Sequence, residues 1–305
     1  MSINLLKKIE QYFWVILIAA VCLGFTAPSI FKQFEHYVVY IIMVIMGFLY
    51  LKVDILDVIT HLKKPHLLLY ISFVNLIVLP IIVYFVFQGV DPDLLIALFL
   101  LAALPTGVSS AAFTDIMQGR TSLNLSVIIV TNLFSVITIP FLFFTLFKTD
   151  LQLDHMSLLV ILLKIFFIPF FIAKVLKHVI LKKYLTKVQH FSNIMIIFLL
   201  AFMITISISF RAESILTHLP LQVKNIAILF ACFIGFQLIG YFSSFWLPKG
   251  EKLAVSNSCM IMNNILGIVL ALAFFSEEVV TIVLLSLLPW NVMIIAKHWY
   301  KRFLP

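Results

Sequence analysis

The chain has 305 residues, 63% of them hydrophobic and 11% charged, with a mean hydropathy of +1.17. That balance excludes an ordinary soluble domain or a disordered chain and leaves few residues for anything outside a bilayer. The net charge of +8 does not call for nucleic acid: the basic residues are scattered through short breaks between apolar runs, where they orient a multi-spanning protein.

Apolar runs of about 20 residues, enough to cross a hydrocarbon layer of ~30 Å, recur along the chain. The first, YFWVILIAAVCLGFTA after Lys7 and Lys8, has the look of a secretory signal, but the Ala27-Pro28-Ser29 that follows carries a proline that hinders cleavage. A retained first span is therefore expected. Spans are predicted at residues 11–31, 36–52, 67–88, 94–117, 122–147, 157–177, 190–210, 222–246, 252–275 and 278–299. With the N-terminus inside, the inner segments hold sixteen Lys and Arg, ending with Lys297, Lys301 and Arg302. The outer segments hold four, Lys32, Lys148, Arg211 and Lys224, and Lys164 lies within a span. This asymmetry predicts ten spans with both termini cytoplasmic. Cys22, Cys232 and Cys259 all fall in apolar stretches, so no disulfide framework is expected.

Two spans carry breaks. The fourth holds LPTGVSSAAFTD and the ninth NSCMIMNNILG, each the fourth of a set of five, and five spans per set imply an inverted repeat. In the first break Pro105 removes a backbone donor and Gly107 relaxes the chain. A helix restarting there points a partial positive charge at an anion, while carbonyls ending the preceding half suit a cation. The second break offers Ser256, Asn257, Ser258, Cys259, Met260, Asn263 and Asn264, whose amide oxygens can bind a hard cation and whose amide nitrogens can donate to an anion. Asn263 is the candidate for a cation or structural ligand there, with Asn75 as its expected neighbour, and Asn264 the candidate substrate contact. In the fifth span Asn124, Thr131, Ser135 and Thr138 fall within about 60° on one helix face. Ser135 and Thr138 suit interhelical hydrogen bonding and Asn124 suits a site. Asn75 stands five residues before Pro80, Asp115 is expected at the cytoplasmic headgroups, and Lys164 either snorkels outward or meets an anionic substrate. No convergent His/Asp/Glu or Ser/His set lies in the spans, so an enzyme is not expected; His61, His66, His155 and His218 fall in or near loops.

In MGFLYLKVDILDVITHLKKP, then LPTGVSSAAFTDIMQGRTSLNLS, then MIMNNILGIVLALAFF, the chain resembles the bile acid:sodium symporter family over nearly its whole length. The resemblance implies an all-α polytopic membrane protein of ten helices in an inverted five-plus-five repeat, with the fourth and ninth broken and crossing. It implies a panel domain from residues 11–52 and 157–210 and a core domain from 67–147 and 222–299. It also implies alternating-access transport of a small organic anion, bile-acid-like, steroid-like or a small carboxylate, with sodium. The family's Pro-Gly-Gly and following Ser-Asn pair fall on Pro105, Thr106, Gly107, Ser110 and Ala111, so the Asn is absent. Its Glu-x-Gly-Met-Gln-Asn falls on Cys259, Met260, Ile261, Met262, Asn263 and Asn264, putting a thiol where its sodium-binding glutamate stands. The family's third-span Gln matches Asn75, its fifth-span Ser and Thr ligands match Asn124 and Ile128, and its last-span Trp and polar pair match Trp290 and Asn291 across a gap.

Carried over in this way, the ion-binding candidates are Asn75, Ser110, Asn124, Cys259, Met262 and Asn263, with Na⁺ at Ser110, Asn124 and Asn263. The substrate-binding candidates are Thr106, Gly107, Val108, Asn264 and Asn291, joined by Lys164. Loss of a carboxylate and of neutral oxygen ligands weakens such a sodium site. A sodium-independent or proton-coupled exporter, or a non-transporting sensor or channel, is therefore the alternative. Related arsenite exporters would want a thiolate at the first break, where none stands. No cofactor is expected beyond Na⁺, the partners are a small organic anion and lipid, and the expected location is the bacterial cytoplasmic (inner) membrane.

Overall fold

A computed structural model describes residues 13–52, 65–147, 154–179 and 182–300. The loop charges Lys7, Lys8, Lys63, Lys64, Lys148, Lys301 and Arg302 lie outside the described residues. Among the described residues every regular element is helical, as a hydrocarbon solvent demands, because a helix satisfies its own backbone. Among the described residues six helices are long and apolar enough to cross a membrane: Pro28–Leu51, Pro65–Val86, Thr121–Leu146, Met156–His178, Ile194–Glu213 and Leu219–Phe242. Pro92–Ala103 and Asn264–Phe274 are apolar but shorter, because each adjoins a break. Large outward-facing apolar side chains such as Phe85, Ile137 and Phe245 suit a lipid surroundings that a water-soluble protein would not meet.

The chain divides into two compact units, Met1–Asp54 with Val160–His218, and Ile55–Leu159 with Leu219–Pro305. In the first, α1 (Phe13–Thr26) and α2 (Val38–Lys52) pack on α9 (Lys182–Thr217). Gly24 sets the α1–α9 approach: a Cβ there would stand 2.8 Å from the Ile208 side chain and 3.0 Å from the Thr205 carbonyl. Thr205 Oγ1 donates to Ala20 O at 3.0 Å and Ser209 Oγ to Gly24 O at 3.2 Å. Small residues with hydroxyls between them are how helices associate where lipid removes the hydrophobic drive. α9 outruns the span expected at 190–210, since no Gly or Pro interrupts Lys182–Thr217.

The second unit begins with α3 (Pro65–Phe73), which passes through a wide π-type turn at Val74–Val78 into α4 (Leu79–Val86). Pro80 has no N–H for the Leu76 carbonyl and its ring would press on that carbonyl; the wide turn absorbs both defects. There follow α5 (Pro92–Ala103), α6 (Ser109–Ile116) and α7 (Thr121–Leu146), then α8 (His155–Val179), whose start belongs to this unit and remainder to the other. After α9 come α10 (Leu219–Phe242), α11 (Lys249–Met260), α12 (Asn264–Phe274), α13 (Glu277–Leu285) and α14 (Leu287–Tyr300). Hydrogen bonding runs from α13 into α14 through Ser286, which donates to Ile282 O and accepts from Trp290 N.

Both broken pairs are tied at their far ends. Asp91 caps α5 by accepting from Asp93 N and Leu94 N, and Ser276, which caps α13, donates to Asp93 Oδ1 at 2.7 Å. After α6 the chain turns through Gln118 in the left-handed region at φ 60. Arg120 N then donates to Gly250 O at 2.8 Å, and the Arg120 guanidinium pairs with the nearly buried Glu251. One expectation needs correcting here. Lys297, counted above among inner-segment charges, is fully buried within α14, because the helix continues past the apolar run and packs on α10. Arg211, counted among the expected outer charges, is likewise buried, within α9, so fifteen expected inner charges stand against three expected outer ones.

Candidate functional site

The two breaks meet. α5 ends at Leu104 in extended backbone, α11 ends at Ile261, and Thr106 pairs with Met262 as an isolated antiparallel bridge. Gly107 N donates to Ile261 O and Asn263 N donates to Pro105 O, both at 2.8 Å. Each break thus satisfies the backbone groups the other leaves open, which buried chain inside a membrane protein requires. The approach is so close that a Cβ on Gly107 would lie 2.6 Å from Met262 O. At that position only hydrogen fits.

Thr106 is the hub of the crossing and is fully buried. Its N–H donates to Thr131 Oγ1 at 3.2 Å, its carbonyl accepts from Asn132 Nδ2 at 3.0 Å, and its hydroxyl donates to Ser258 O at 3.0 Å. The same hydroxyl accepts from Asn75 Nδ2 at 2.8 Å, and that nitrogen also reaches Ser258 O at 3.0 Å. The wide turn that Pro80 imposes carries Asn75, and α7 carries Thr131 and Asn132 on adjacent positions. Three elements of the second unit, the wide turn, α7 and α11, therefore converge on one threonine.

A second polar cluster lies between α6, α7 and α11. Asn124 Nδ2 donates to Ser110 Oγ and to Ala254 O, both at 2.9 Å, and Asn257 Nδ2 donates to Thr114 Oγ1 at 2.9 Å. Ser110 and Thr114 stand one helical turn apart on α6, and Ala254 and Asn257 one turn apart on α11. All the amide nitrogens here are engaged, yet Asn124 Oδ1 and Asn257 Oδ1 are buried with no partner among the described residues. Asn132 Oδ1 and both polar atoms of Asn264 are likewise unpartnered. A buried amide oxygen without a donor costs about 1–3 kcal/mol. Oxygens with lone pairs and no donor are suited to a hard cation.

The predicted site residues are distributed as follows. Ser110 and Asn124 are in direct contact, and the amide nitrogen of Asn75 meets Thr106 and Ser258. Asn263 uses its side-chain oxygen to cap α12, accepting from Leu266 N at 3.2 Å. Cys259 and Met262 are buried beside the second break, Gly107 and Val108 lie at the first, and Asn264 opens α12 with its amide free. Asn291 donates within its own helix, to Leu287 O at 2.7 Å. Lys164 is exposed on the part of α8 that belongs to the first unit. Asp115 is exposed and accepts from Thr121. Sequence reasoning passed over Asn132 and the pairing of Thr114 with Asn257. A second amide directly after Thr131, and the four-residue spacing of Ser110 and Thr114, were the available signals.

Residues 38–218 match the profile of the Sodium Bile acid symporter family. Over 287 residues, 90% of this chain and 86% of its relative, the sequence is 22% identical to a Bacillus subtilis (strain 168) protein described as the uncharacterized sodium-dependent transporter YocS. The family match covers more than half of the chain, and it includes the first break, the hub threonine and all of α7. This multi-pass membrane protein belongs to the Sodium Bile acid symporter family, a family of transporters.

Proposed function

We propose that the protein is a secondary active transporter of small organic anions that works by alternating access and takes sodium as a coupling ion. The observation that carries the reading is the pair of backbone hydrogen bonds joining the two breaks, Gly107 N to Ile261 O and Asn263 N to Pro105 O. Crossed, interrupted helices put two half-helix N-termini, those of α6 and α12, beside two half-helix C-termini, those of α5 and α11. N-terminal ends favour an anion and C-terminal ends a cation, so one crossing serves both members of a symport pair. The free amide of Asn264, at the first position of α12, is the side chain we assign to the substrate.

Sodium is assigned to the cluster of Ser110, Thr114, Asn124 and Asn257, where two amide oxygens lack donors. The sodium dependence in the printed description of the Bacillus relative supports this reading. We read the broken pairs as equivalent members of an inverted five-plus-five repeat of ten spans with cytoplasmic termini, in the bacterial inner membrane. The unit holding α1, α2 and α9 is the panel of that arrangement and the unit holding both breaks its core. Bile-acid-like, steroid-like and small carboxylate anions are the substrate classes to test. The experiment is ligand-induced thermal stabilisation of the purified full chain across those anions, in NaCl and in KCl. Stabilisation by at least one anion, larger in sodium, is expected; no response to any anion in either salt would refute the reading.

A further inference from the structure

Away from both polar clusters, the second unit carries an open groove of ≈ 300 Å³ between α3 with its wide turn and α7. Phe73, Leu76 and Ile77 wall it on one side and Phe134 on the other, while Ser72 and Thr138 bring one hydroxyl from each helix. Leu76 and Ile77 belong to the wide turn at Val74–Val78 and directly follow Asn75, so the groove backs onto the Thr106 hub without sharing its hydrogen bonds. Phe73 and Phe134 are large apolar side chains left exposed, as suits a groove that opens towards lipid.

The two hydroxyls are what set this groove apart from an ordinary lipid-facing crevice. Ser72 Oγ and Thr138 Oγ1 are both buried and have no hydrogen-bond partner among the described residues. Elsewhere on α7 the side chains of Ser126, Thr131 and Thr145 donate to the carbonyl one turn back, at 3.1, 2.8 and 2.9 Å. Thr138 makes neither that bond nor the interhelical one expected of it. A buried hydroxyl without a partner is costly, most of all where no water can reach it. Two of them, on different helices and lining one groove, call for an acceptor from outside the chain.

Depth narrows what that acceptor can be. Residues 72–77 sit at the middle of the span Pro65–Val86, and residues 134–138 near the middle of Thr121–Leu146. Phospholipid head groups and ester carbonyls lie at the interfaces, and an acyl chain has no acceptor to offer. An ionised ligand does not suit the groove, because among the described residues no charged side chain lines it. The rings of Phe73 and Phe134 suit a flat ring as neighbour. We infer that the groove between α3 and α7 binds a quinone: an uncharged, flat, bilayer-soluble ring whose carbonyl oxygens accept from Ser72 and Thr138. A volume of ≈ 300 Å³, at the small end of ligand pockets, holds the ring and leaves any tail in lipid. This inference does not rest on the transport reading.

The test uses purified full-length protein in lipid nanodiscs, with empty discs to correct for partitioning. The probe is 2,3-dimethyl-1,4-naphthoquinone, whose blocked ring carbons do not alkylate thiols. Saturable binding of one quinone per chain is expected. The same ring without carbonyls, 2,3-dimethylnaphthalene, should bind at least about tenfold more weakly. Ser72→Ala combined with Thr138→Val should weaken quinone binding by at least about tenfold and leave naphthalene binding unchanged. Because neither hydroxyl has a partner within the chain, that double variant should melt no lower than wild type without ligand. Equal affinity for the two probes marks a groove that takes hydrocarbon alone and overturns the inference. So does a double variant that binds the quinone as wild type does, or the lack of any saturable binding. If the double variant does not fold, the comparison of the two probes on wild type decides. None of these outcomes depends on anion transport, so either reading can fail and leave the other standing.

Discussion

Gly107→Ala tests the crossing of the two breaks more sharply than any other single change. The added methyl would lie 2.6 Å from Met262 O, 3.0 Å from Met262 C and 3.4 Å from Asn263 N, all backbone atoms that no rotamer change can clear. Ordinary contact distance requires the strands of the crossing to part by about 0.6 Å or more. Hydrogen bonds of 2.8 Å from Gly107 N and Asn263 N then stretch beyond useful length, and both are buried. One buried pair left unmade costs about 1–3 kcal/mol, so losing both costs about 2–6 kcal/mol. In a chain of this size that lowers Tm by several degrees. The assay is thermal denaturation of the purified variant against Gly89→Ala and Gly235→Ala, where an added Cβ meets nothing within 4 Å. A Gly107→Ala protein melting within about 1 °C of wild type would refute the crossing, since only a wider junction tolerates the methyl.

Thr106→Val keeps the volume of the hub but removes its hydroxyl and two hydrogen bonds, while Asn75 Nδ2 and Ser258 O still meet each other, so the cost is about 0.5–1.5 kcal/mol per bond lost. Thr106→Ser should recover most of the loss, and both variants are read by thermal melting. Asn124→Leu or Asn257→Leu removes one unpartnered oxygen from the proposed sodium cluster. Either should raise the sodium concentration for half-maximal stabilisation by at least about tenfold, equivalent to 1.4 kcal/mol, and unchanged sodium titrations would reject the cluster. Gly24→Ala forces Ile208 away and should cost about 1–3 kcal/mol, whereas Gly47→Ala, with Pro169 at 3.8 Å, should melt near wild type. Arg120→Ala, which strips the partner from the nearly buried Glu251, should cost about 3–5 kcal/mol because it leaves a carboxylate uncompensated inside, and Glu251→Gln in the same chain should recover part of the loss.

Much of this was legible in the sequence because membranes punish irregularity. Pro105 with Gly107, and adjacent amides at 263 and 264, are costly in hydrocarbon unless they do something, and the helices break at Leu104–Val108 and Ile261–Asn263. The polar face of α7 was readable from its 3.6-residue period. What was not readable depends on which helix lies opposite. Asn75 was expected beside Asn263, and the wide turn before Pro80 aims its amide nitrogen at Thr106 and Ser258. Nothing in the order of residues announces that turn except the proline itself. Asn263, read as a cation or structural ligand, stands where a helix starts and its oxygen caps that helix. Lys297 misled for a related reason: in IIAKHWY it was counted with the inner charges although it falls within the span expected at 278–299, and only the packing of α14 on α10 and its bond to Ser256 reveal a fully buried lysine.

The central claim is that the crossed breaks couple a cation to an anion. Proteoliposomes holding the full chain, given a labelled bile acid, a sulfated steroid and a small carboxylate in turn, test it directly under an inward sodium gradient, with an inward potassium gradient as control. The account predicts that one of these anions accumulates above its external concentration under the sodium gradient, and that Asn264→Leu abolishes the accumulation without unfolding the protein. Equilibration without accumulation, or equal uptake under both gradients, would contradict it.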